Sequence, residues 1–184
     1  MIRKLFAAAV AVAAVGFASA AEIKSGPQSG EKVPGPFTPL NINGENAGKK
    51  ACLFCKQGDS PSVAIFARTA DCPGTAKLIQ KIEATIAANE KSGLGSYVVF
   101  LSDDDKLEGE LKKMVEKANI KNVMLSIDSP KGPEKYNISK DADLTVLVYN
   151  ERKVVANHSF EKGKISDKDI ETIAAEAVKM SGSK

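Results

Sequence analysis

The sequence predicts an α/β fold in which a mixed central sheet is covered by helices. Three observations carry this prediction. Short apolar segments of strand length alternate with longer segments whose apolar residues recur at helical spacing. Two strand-like segments joined by a short turn come next, and an amphipathic segment ends the chain. The predicted order is therefore β-α-β-α-β, a β-hairpin and a C-terminal helix, preceded by an N-terminal extension.

The first 20 residues have the pattern of a removable signal peptide. Arg3 and Lys4 precede the apolar segment 5–17, and residues 18–20 form a small-residue cleavage site, Ala-Ser-Ala. The apolar segment is too short to span a bilayer, which takes about 20 residues. The sequence therefore predicts cleavage after Ala20 and export to the periplasm or the extracellular space. The exported product is expected to be soluble, without a membrane-spanning segment.

The composition of the mature chain argues against nucleic-acid binding. Removal of the signal leaves 24 basic and 23 acidic residues, a net charge of +1. The whole chain has only 7 Phe, 3 Tyr and no Trp, and no basic stripe is interleaved with them. The mature length suits one domain that can bury a core without disulfides.

The mature chain begins with a polar arm, residues 21–50, rich in Gly, Pro and Lys. Within the arm, segment 30–46 alternates well enough to predict short strands. Asn43-Gly44 predicts a tight hairpin turn because both residues tolerate positive φ. Residues 51–184 are predicted to form the folded domain.

The first core strand and helix follow the arm. Val63–Ala67 is a short apolar run typical of a buried strand. Pro73 suits the first position of a helix, which places Asp71 or Cys72 at the N-cap. The apolar side of this helix, which is predicted to end at Gly93, carries Leu78, Ile79, Ile82 and Ile86.

A second helix lies between two further predicted strands, Ser96–Leu101 and Val123–Ile127. Asp103–Asp105 are expected to cap this helix, and one helical turn is predicted at Glu134–Ile138. The apolar stripe of the helix consists of Leu107, Leu111, Met114, Val115 and Ala118.

The chain ends with a hairpin and a helix. Leu144–Tyr149 is apolar on both faces, as expected of a central strand, whereas Val154–Phe160 alternates and suits a peripheral one. Ser166-x-x-Asp169 predicts a capping box at the start of the last helix. One side of the peripheral strand is predicted to carry Val154, Ala156, His158 and Phe160.

The order and spacing of several motifs resemble the thioredoxin-like superfamily, and within it the redoxin branch of peroxiredoxins and periplasmic thiol–disulfide interchange proteins. The resemblance implies a thioredoxin-like three-layer fold and redox chemistry at cysteines. It covers about residues 28–180 and is carried by the lead-in 30–44, V-V-F-L-S-D at 98–103, Ile127-Asp128, K-Y-x-I at 135–138 and T-V-L-V-Y-N-E-R-K-V-V at 145–155.

Two positions depart from the redoxin pattern. The family's oxidoreductases carry C-x-x-C just after the first core strand, where this chain reads Cys72-Pro-Gly-Thr75. The intact C-x-x-C, formed by Cys52 and Cys55, precedes that strand instead. The family's cis-proline, just before the Thr that opens the hairpin, is Leu144 in this chain.

Cys52 and Cys55 are the first candidate site. Their two-residue spacing permits a reversible disulfide, and Lys56 favours the thiolate of Cys55. Export would place them in an oxidising compartment. The alternative is a local structural disulfide that pins the arm to the sheet.

Cys72 is the second candidate. A helix N-terminus favours thiolate, the species that attacks disulfides and peroxides. Thr69-x-x-Cys72 also resembles the peroxiredoxin T-x-x-C, although the family's upstream proline is missing and Asp71 opposes ionisation. The alternative is a partly buried free cysteine without chemistry. Since Cys72 and the C-x-x-C leave opposite ends of a strand roughly 17 Å long, direct exchange between them would require the arm to fold back.

No cofactor or metal site is predicted. No histidine follows Cys55, which excludes the C-x-x-C-H haem motif. Three cysteines and His158 could only just supply four zinc ligands. His158 is predicted to be semi-buried, and Asp103–Asp105 to be a solvated cap.

Three functional hypotheses follow. The leading one is an exported thioredoxin-like protein that exchanges thiols and disulfides with other proteins, with Cys52 and Cys55 as the cycling pair and Cys72 as an accessory or separate thiol. The second is a non-catalytic binding or structural module in which Cys52–Cys55 is a structural disulfide. The third is a peroxidase based on Cys72.

Overall fold

A mixed six-stranded sheet forms the centre of the computed structural model, which describes residues 23–182. The order across the sheet is β1-β4-β3-β2-β5-β6. β2, β3 and β4 run parallel to one another, whereas β1 pairs antiparallel with β4, β5 with β2, and β6 with β5. This confirms the predicted parallel centre with an antiparallel hairpin. The strands are β1 Leu40–Asn41, β2 Ser62–Ala67, β3 Gly95–Leu101, β4 Val123–Asp128, β5 Leu144–Asn150 and β6 Lys153–Phe160. The predicted signal peptide lies outside the described residues.

The described residues form four α-helices, of which the sequence predicted the three longer ones. The capping box at Ser166 and Asp169 is present, and the Asp104 carboxylate accepts the Lys106 N–H at 2.9 Å before α3. None of the helices within residues 23–182 has the length and apolar character needed to cross a membrane. The helices are α1 Leu53–Gln57, α2 Pro73–Ala88, α3 Leu107–Ala118 and α4 Asp167–Ser181, with short 3₁₀ turns at Glu90–Ser92 and Glu134–Tyr136.

The two faces of the sheet are covered differently. Alternate residues of β2 point to opposite faces, with Val63 and Ile65 on the first and Ala64 and Phe66 on the second. The first face packs against the apolar sides of α2, α3 and α4. The second face is covered by α1 and by side chains of the N-terminal arm. The arm and α1 therefore replace a layer of long helices.

Aromatic side chains fill the core beneath the arm. Phe37 of the arm lies 5.2 Å from Tyr136, between ring centroids, and 6.1 Å from Phe66. The chain's three tyrosines are all buried here, and burial raises the pKa of each hydroxyl. The Tyr136 hydroxyl donates to the Gly35 carbonyl at 2.7 Å, which holds the arm against this core.

The arm also runs along both edges of the sheet. At β6, the Val33 N–H donates to the Arg152 carbonyl at 2.8 Å, and the Val154 N–H donates to the Glu31 carbonyl at 2.9 Å. At β4, the side chain of Asn43 accepts from the Leu125 N–H and donates to the Val123 carbonyl. Because the Asn43 side chain is bound to β4, the chain reverses through a loop that is wider than the tight Asn43-Gly44 turn predicted from the sequence. The predicted boundary between arm and domain at residue 51 stays a prediction.

A β-bulge changes the alternation of β6. Val148 pairs with Ala156 but Tyr149 pairs with Val154, so Val155 is left between them, 51% exposed. Val154 therefore packs with Tyr149 on the second face, and Ala156 packs on the first. The prediction that Val154 and Ala156 share a face is wrong, because the extra residue in a bulge reverses the alternation.

His158 connects β6 to α4. Its Nε2 lies 2.7 Å from the Glu176 carboxylate, and its side chain is 24% exposed. The predicted semi-buried position is confirmed, and the histidine serves the contact between strand and helix.

Glu83 of α2 holds the chain that enters β4. Its carboxylate accepts the N–H groups of Lys121, Asn122 and Val123 at 2.8 to 3.0 Å, and also the Asn122 side-chain amide. Glu83→Ala removes every one of these bonds. We expect the free energy of unfolding, measured by urea denaturation, to fall by about 1–2 kcal/mol. Glu83→Gln keeps one acceptor oxygen and should lose less; an equal loss would contradict this account.

Candidate functional site

The C-x-x-C pair lies at the start of α1, which the sequence did not predict. Cys52 is the N-cap, and its Sγ accepts the Cys55 N–H at 3.0 Å. The two cysteines form a disulfide with their Cα atoms 5.2 Å apart. Leu53 and Phe54 between them are only 3% and 5% exposed. Their burial against the second face gives this short helix its position.

Cys52 and Cys55 differ in their exposure to solvent. Cys55 is exposed, whereas Cys52 is half-buried and packs against the core of the second face. Lys56, next to Cys55, forms an ion pair with Glu45 at 3.1 Å. A reactant from solvent therefore meets Cys55 first.

Contacts on both sides hold the disulfide in place. On one side, the Arg152 guanidinium lies 5.6 Å from the centroid of the Phe54 ring and pairs with Asp59 at 2.8 Å. On the other, the buried Asn41 amide donates to the carbonyls of Lys49 and Ala51, each at 3.2 Å. These contacts fix the chain immediately before and after the cysteines.

Cys72 occupies the predicted N-cap of α2 and is only 6% exposed. Burial raises the pKa of its thiol. Polar groups near the sulfur, the backbone N–H groups of Thr75, Gly74 and Gly163 and the Thr75 hydroxyl, outweigh burial and hold the pKa below its ordinary value. The site therefore favours thiolate but shields it from solvent.

The residues just before Cys72 serve the fold. The Thr69 hydroxyl of the T-x-x-C motif donates to the Asp143 carboxylate. The half-buried guanidinium of Arg68 donates to three backbone carbonyls, those of Ala142, Pro130 and Ser139, at 2.7 to 3.1 Å. Sequence reasoning missed Arg68; the only signal was a charged residue directly after a buried strand.

Comparisons with known proteins define the fold. No protein-family model and no curated protein sequence matches the chain. A proposed thiol:disulfide interchange protein DsbE from Chlorobium tepidum aligns over 88% of this chain and 100% of its own, with a TM-score of 0.62 and 16% identity. The thioredoxin domain of a thiol-disulfide oxidoreductase from Bacteroides vulgatus aligns over 82% and 97%, with a TM-score of 0.59 and 16% identity. Peroxiredoxin Q of Xanthomonas campestris aligns over 79% and 91%, with a TM-score of 0.59 and 11% identity.

The chain has a thioredoxin-like fold. The predicted resemblance to the redoxin branch is confirmed at the level of the fold, since these solved structures are interchange proteins and peroxiredoxins by description.

Within this thioredoxin-like fold the two cysteine sites lie apart. The C-x-x-C comes before β2, on the side of Ser62, whereas Cys72 follows the opposite end at Ala67. Leu144 pairs with Ala67, so the position of the family's cis-proline lies at the Cys72 end and holds a buried leucine. The predicted separation of the C-x-x-C and Cys72 is confirmed. Within residues 23–182, no three His, Cys, Asp or Glu side chains are grouped so as to hold a metal ion.

The lowered pKa of Cys72 makes a prediction about stability. Because folding lowers the pKa of this acid, its contribution to stability is fully present above the ordinary value of 9.0 and is lost as pH falls through the lowered pKa. As the pH rises from about 6 to about 9, we expect the free energy of unfolding of the native protein to increase relative to that of Cys72→Ser. Denaturation of both proteins at the two pH values measures the difference. A difference that stays constant or shrinks with rising pH would contradict the prediction.

Proposed function

We propose that this protein exchanges thiols and disulfides with other proteins through Cys52 and Cys55. The observation that carries the proposal is the unequal exposure of the two cysteines: Cys55 is exposed, whereas Cys52 is half-buried at a helix N-cap and its Sγ accepts the Cys55 N–H. The similar solved structures described as thiol-disulfide oxidoreductases support it.

The geometry suggests an order of bond changes. A partner thiolate attacks the Sγ of the exposed Cys55, the Cys52–Cys55 bond breaks, and Cys52 leaves as a thiolate that the Cys55 N–H stabilises. A second partner thiolate then attacks the partner sulfur of the mixed disulfide and releases Cys55. The partner dithiol is oxidised to a disulfide, and the Cys52–Cys55 pair gains two electrons and two protons. The reverse sequence reduces a partner disulfide.

A purely structural role explains the pair less well. The disulfide spans a sequence separation of only 3 residues. Closing so short a loop stabilises a chain by about 2 kcal/mol on the loop-entropy estimate, less than a long loop would. Leu53, Phe54 and Arg152 already hold α1 without it. Export, proposed from residues 1–20, would place the pair in an oxidising compartment, in which disulfides form and persist.

Redox titration of the pair tests the proposal. Cys72→Ser leaves only Cys52 and Cys55 to titrate, and thiol alkylation followed by mass spectrometry reads their state. A potential between about −120 and −270 mV, the span of known redox catalysts, is the expected result. A potential below about −300 mV marks a structural disulfide and would overturn the proposal.

A non-catalytic binding or structural module is the second candidate. Thr75 and Leu144 favour it, because they replace the second cysteine and the cis-proline at the site that the family uses. A reduction potential below about −300 mV in the titration would support this candidate. We propose that Cys72 acts as a separate thiol, since its burial and the Thr69–Asp143 bond leave it little access to a peroxide.

A further inference from the structure

We infer that the partner segment whose thiolate attacks the Cys52–Cys55 disulfide, or whose disulfide the reduced pair attacks, is an acidic peptide that carries its cysteine between carboxylate side chains. This inference rests on the proposed function and names the substrate class of the same site. Its basis is a group of cations around the disulfide, here called the basic rim, which consists of Lys49, Lys50, Lys56, Arg152 and Lys153.

Two cations of the basic rim directly precede the disulfide. Lys49 and Lys50 are exposed and stand three and two residues before Cys52. The Asn41 amide holds their backbone through the carbonyls of Lys49 and Ala51. Neither lysine is in an ion pair with another described residue. Two unpaired cations therefore stand on a fixed backbone within three residues of Cys52 and are available to attract an anion.

Two more cations approach from the β5–β6 turn. Arg152 has φ +60 and, with Glu151 at φ +49, forms the two-residue turn that brings its guanidinium over the ring of Phe54, the residue before Cys55. Lys153 follows it and is exposed. Cations of two separate segments therefore adjoin the chain that carries the disulfide: Lys49 and Lys50 precede Cys52, and Arg152 lies over the ring of Phe54.

Carboxylates around the disulfide are fewer than cations. Glu45 forms an ion pair with Lys56, and Asp59 forms one with Arg152. The remaining charges are one carboxylate, Glu151, and three cations, Lys49, Lys50 and Lys153. The opposite charges of Glu31 and Lys32 cancel, and Lys32 pairs with Lys153 in an isolated β-bridge. The balance around the disulfide is about two positive charges, whereas the whole mature chain carries only +1. The excess positive charge of the chain is therefore gathered at this site.

This charge has a direct effect on exchange chemistry. The attacking group is a thiolate, and negative charge is spread over three sulfurs as the bond changes. Cations beside the disulfide stabilise that charge and speed the approach of an acidic segment, while a basic segment is repelled. The effect falls off within a Debye length, about 10 Å at 0.1 M salt.

Peptides of matched length test the inference. Each carries one cysteine flanked by two glutamates, two lysines or two glutamines, and the rate of disulfide opening per peptide thiolate is read by alkylation and mass spectrometry. At about 0.01 M ionic strength we expect the acidic peptide to react about tenfold faster than the basic one, and at about 1 M the rates should converge.

Charge-reversal variants complete the test. Lys49→Glu with Lys50→Glu should lower the acidic-to-basic rate ratio by about tenfold. The matched control is Lys113→Glu with Lys117→Glu on α3, which has the same change of net charge on the opposite face and should change the ratio less than about twofold.

The outcomes separate the two proposals. Equal rates for all peptides, or equal effects of the two double variants, would overturn the acidic-partner inference while leaving exchange itself intact. Failure of every peptide to open the disulfide would instead overturn the proposed function.

Discussion

Cys52→Ser and Cys55→Ser should each reduce thiol–disulfide exchange to background, a fall of at least about 10³-fold. A single thiol cannot store the two electrons of the reaction, and an intramolecular resolving thiol has an effective concentration that a free thiol does not reach. The two variants should nevertheless differ. Cys52→Ser keeps the exposed Cys55, which attacks the disulfide form of a partner peptide and should accumulate as a mixed disulfide because the resolving thiol is gone. Cys55→Ser keeps only the half-buried Cys52 and should form that adduct slowly.

Turnover of a dithiol peptide measures the loss of exchange, and the mass of the adduct formed with the oxidised, disulfide form of that peptide measures the trapping. Cys72→Ser is the matched control and should retain full exchange, since Cys72 lies at the other end of β2. Faster trapping at Cys52 than at Cys55 would reverse the proposed order of attack. Undiminished turnover in both serine variants would reject the exchange function.

Arg68→Met should lower the free energy of unfolding by about 3 kcal/mol. The guanidinium joins the end of β2 to carbonyls at Pro130, Ser139 and Ala142, and methionine would leave these acceptors without their donors. Hydrogen bonds to a charged group are worth more than neutral ones, and one planar group makes all of them at once. Chemical denaturation at neutral pH measures the loss.

Two further variants calibrate the Arg68 result. Arg68→Lys should recover little, because an ammonium group cannot match the spread of the guanidinium donors. Lys140→Met, at an exposed position of the same loop, should change stability by less than about 0.5 kcal/mol. A loss of under about 1 kcal/mol for Arg68→Met would show that solvent replaces its hydrogen bonds.

Local patterns predicted the parts of the fold that local chemistry determines. The apolar run at Val63–Ala67 became β2, and Ser166 with Asp169 formed the capping box. Cys72 became the N-cap of α2 because Pro73 fits the first helical position. Each of these depends on neighbours within a few residues, so the sequence alone was sufficient.

Long-range contacts decided what the sequence analysis missed. α1 has only five residues, and its position comes from burial of Leu53 and Phe54 on a distant face of the sheet. The bulge at Val155 is set by pairing with β5 and by the arm, and periodicity cannot show it. The candidate site was therefore predicted by residue type, through Cys52 and Cys55, but its exposure and its basic surroundings required the structure.

The arm that lines both borders of the sheet restricts how a partner can bind. Many proteins recognise an extended peptide by adding it to a sheet as one more strand, which requires a free row of backbone donors and acceptors. Here the arm already occupies backbone groups of β4 at Val123 and Leu125 and of β6 at Val154. A peptide that reaches the disulfide must accordingly be recognised through side chains and charge, so its sequence should matter more than its ability to become extended.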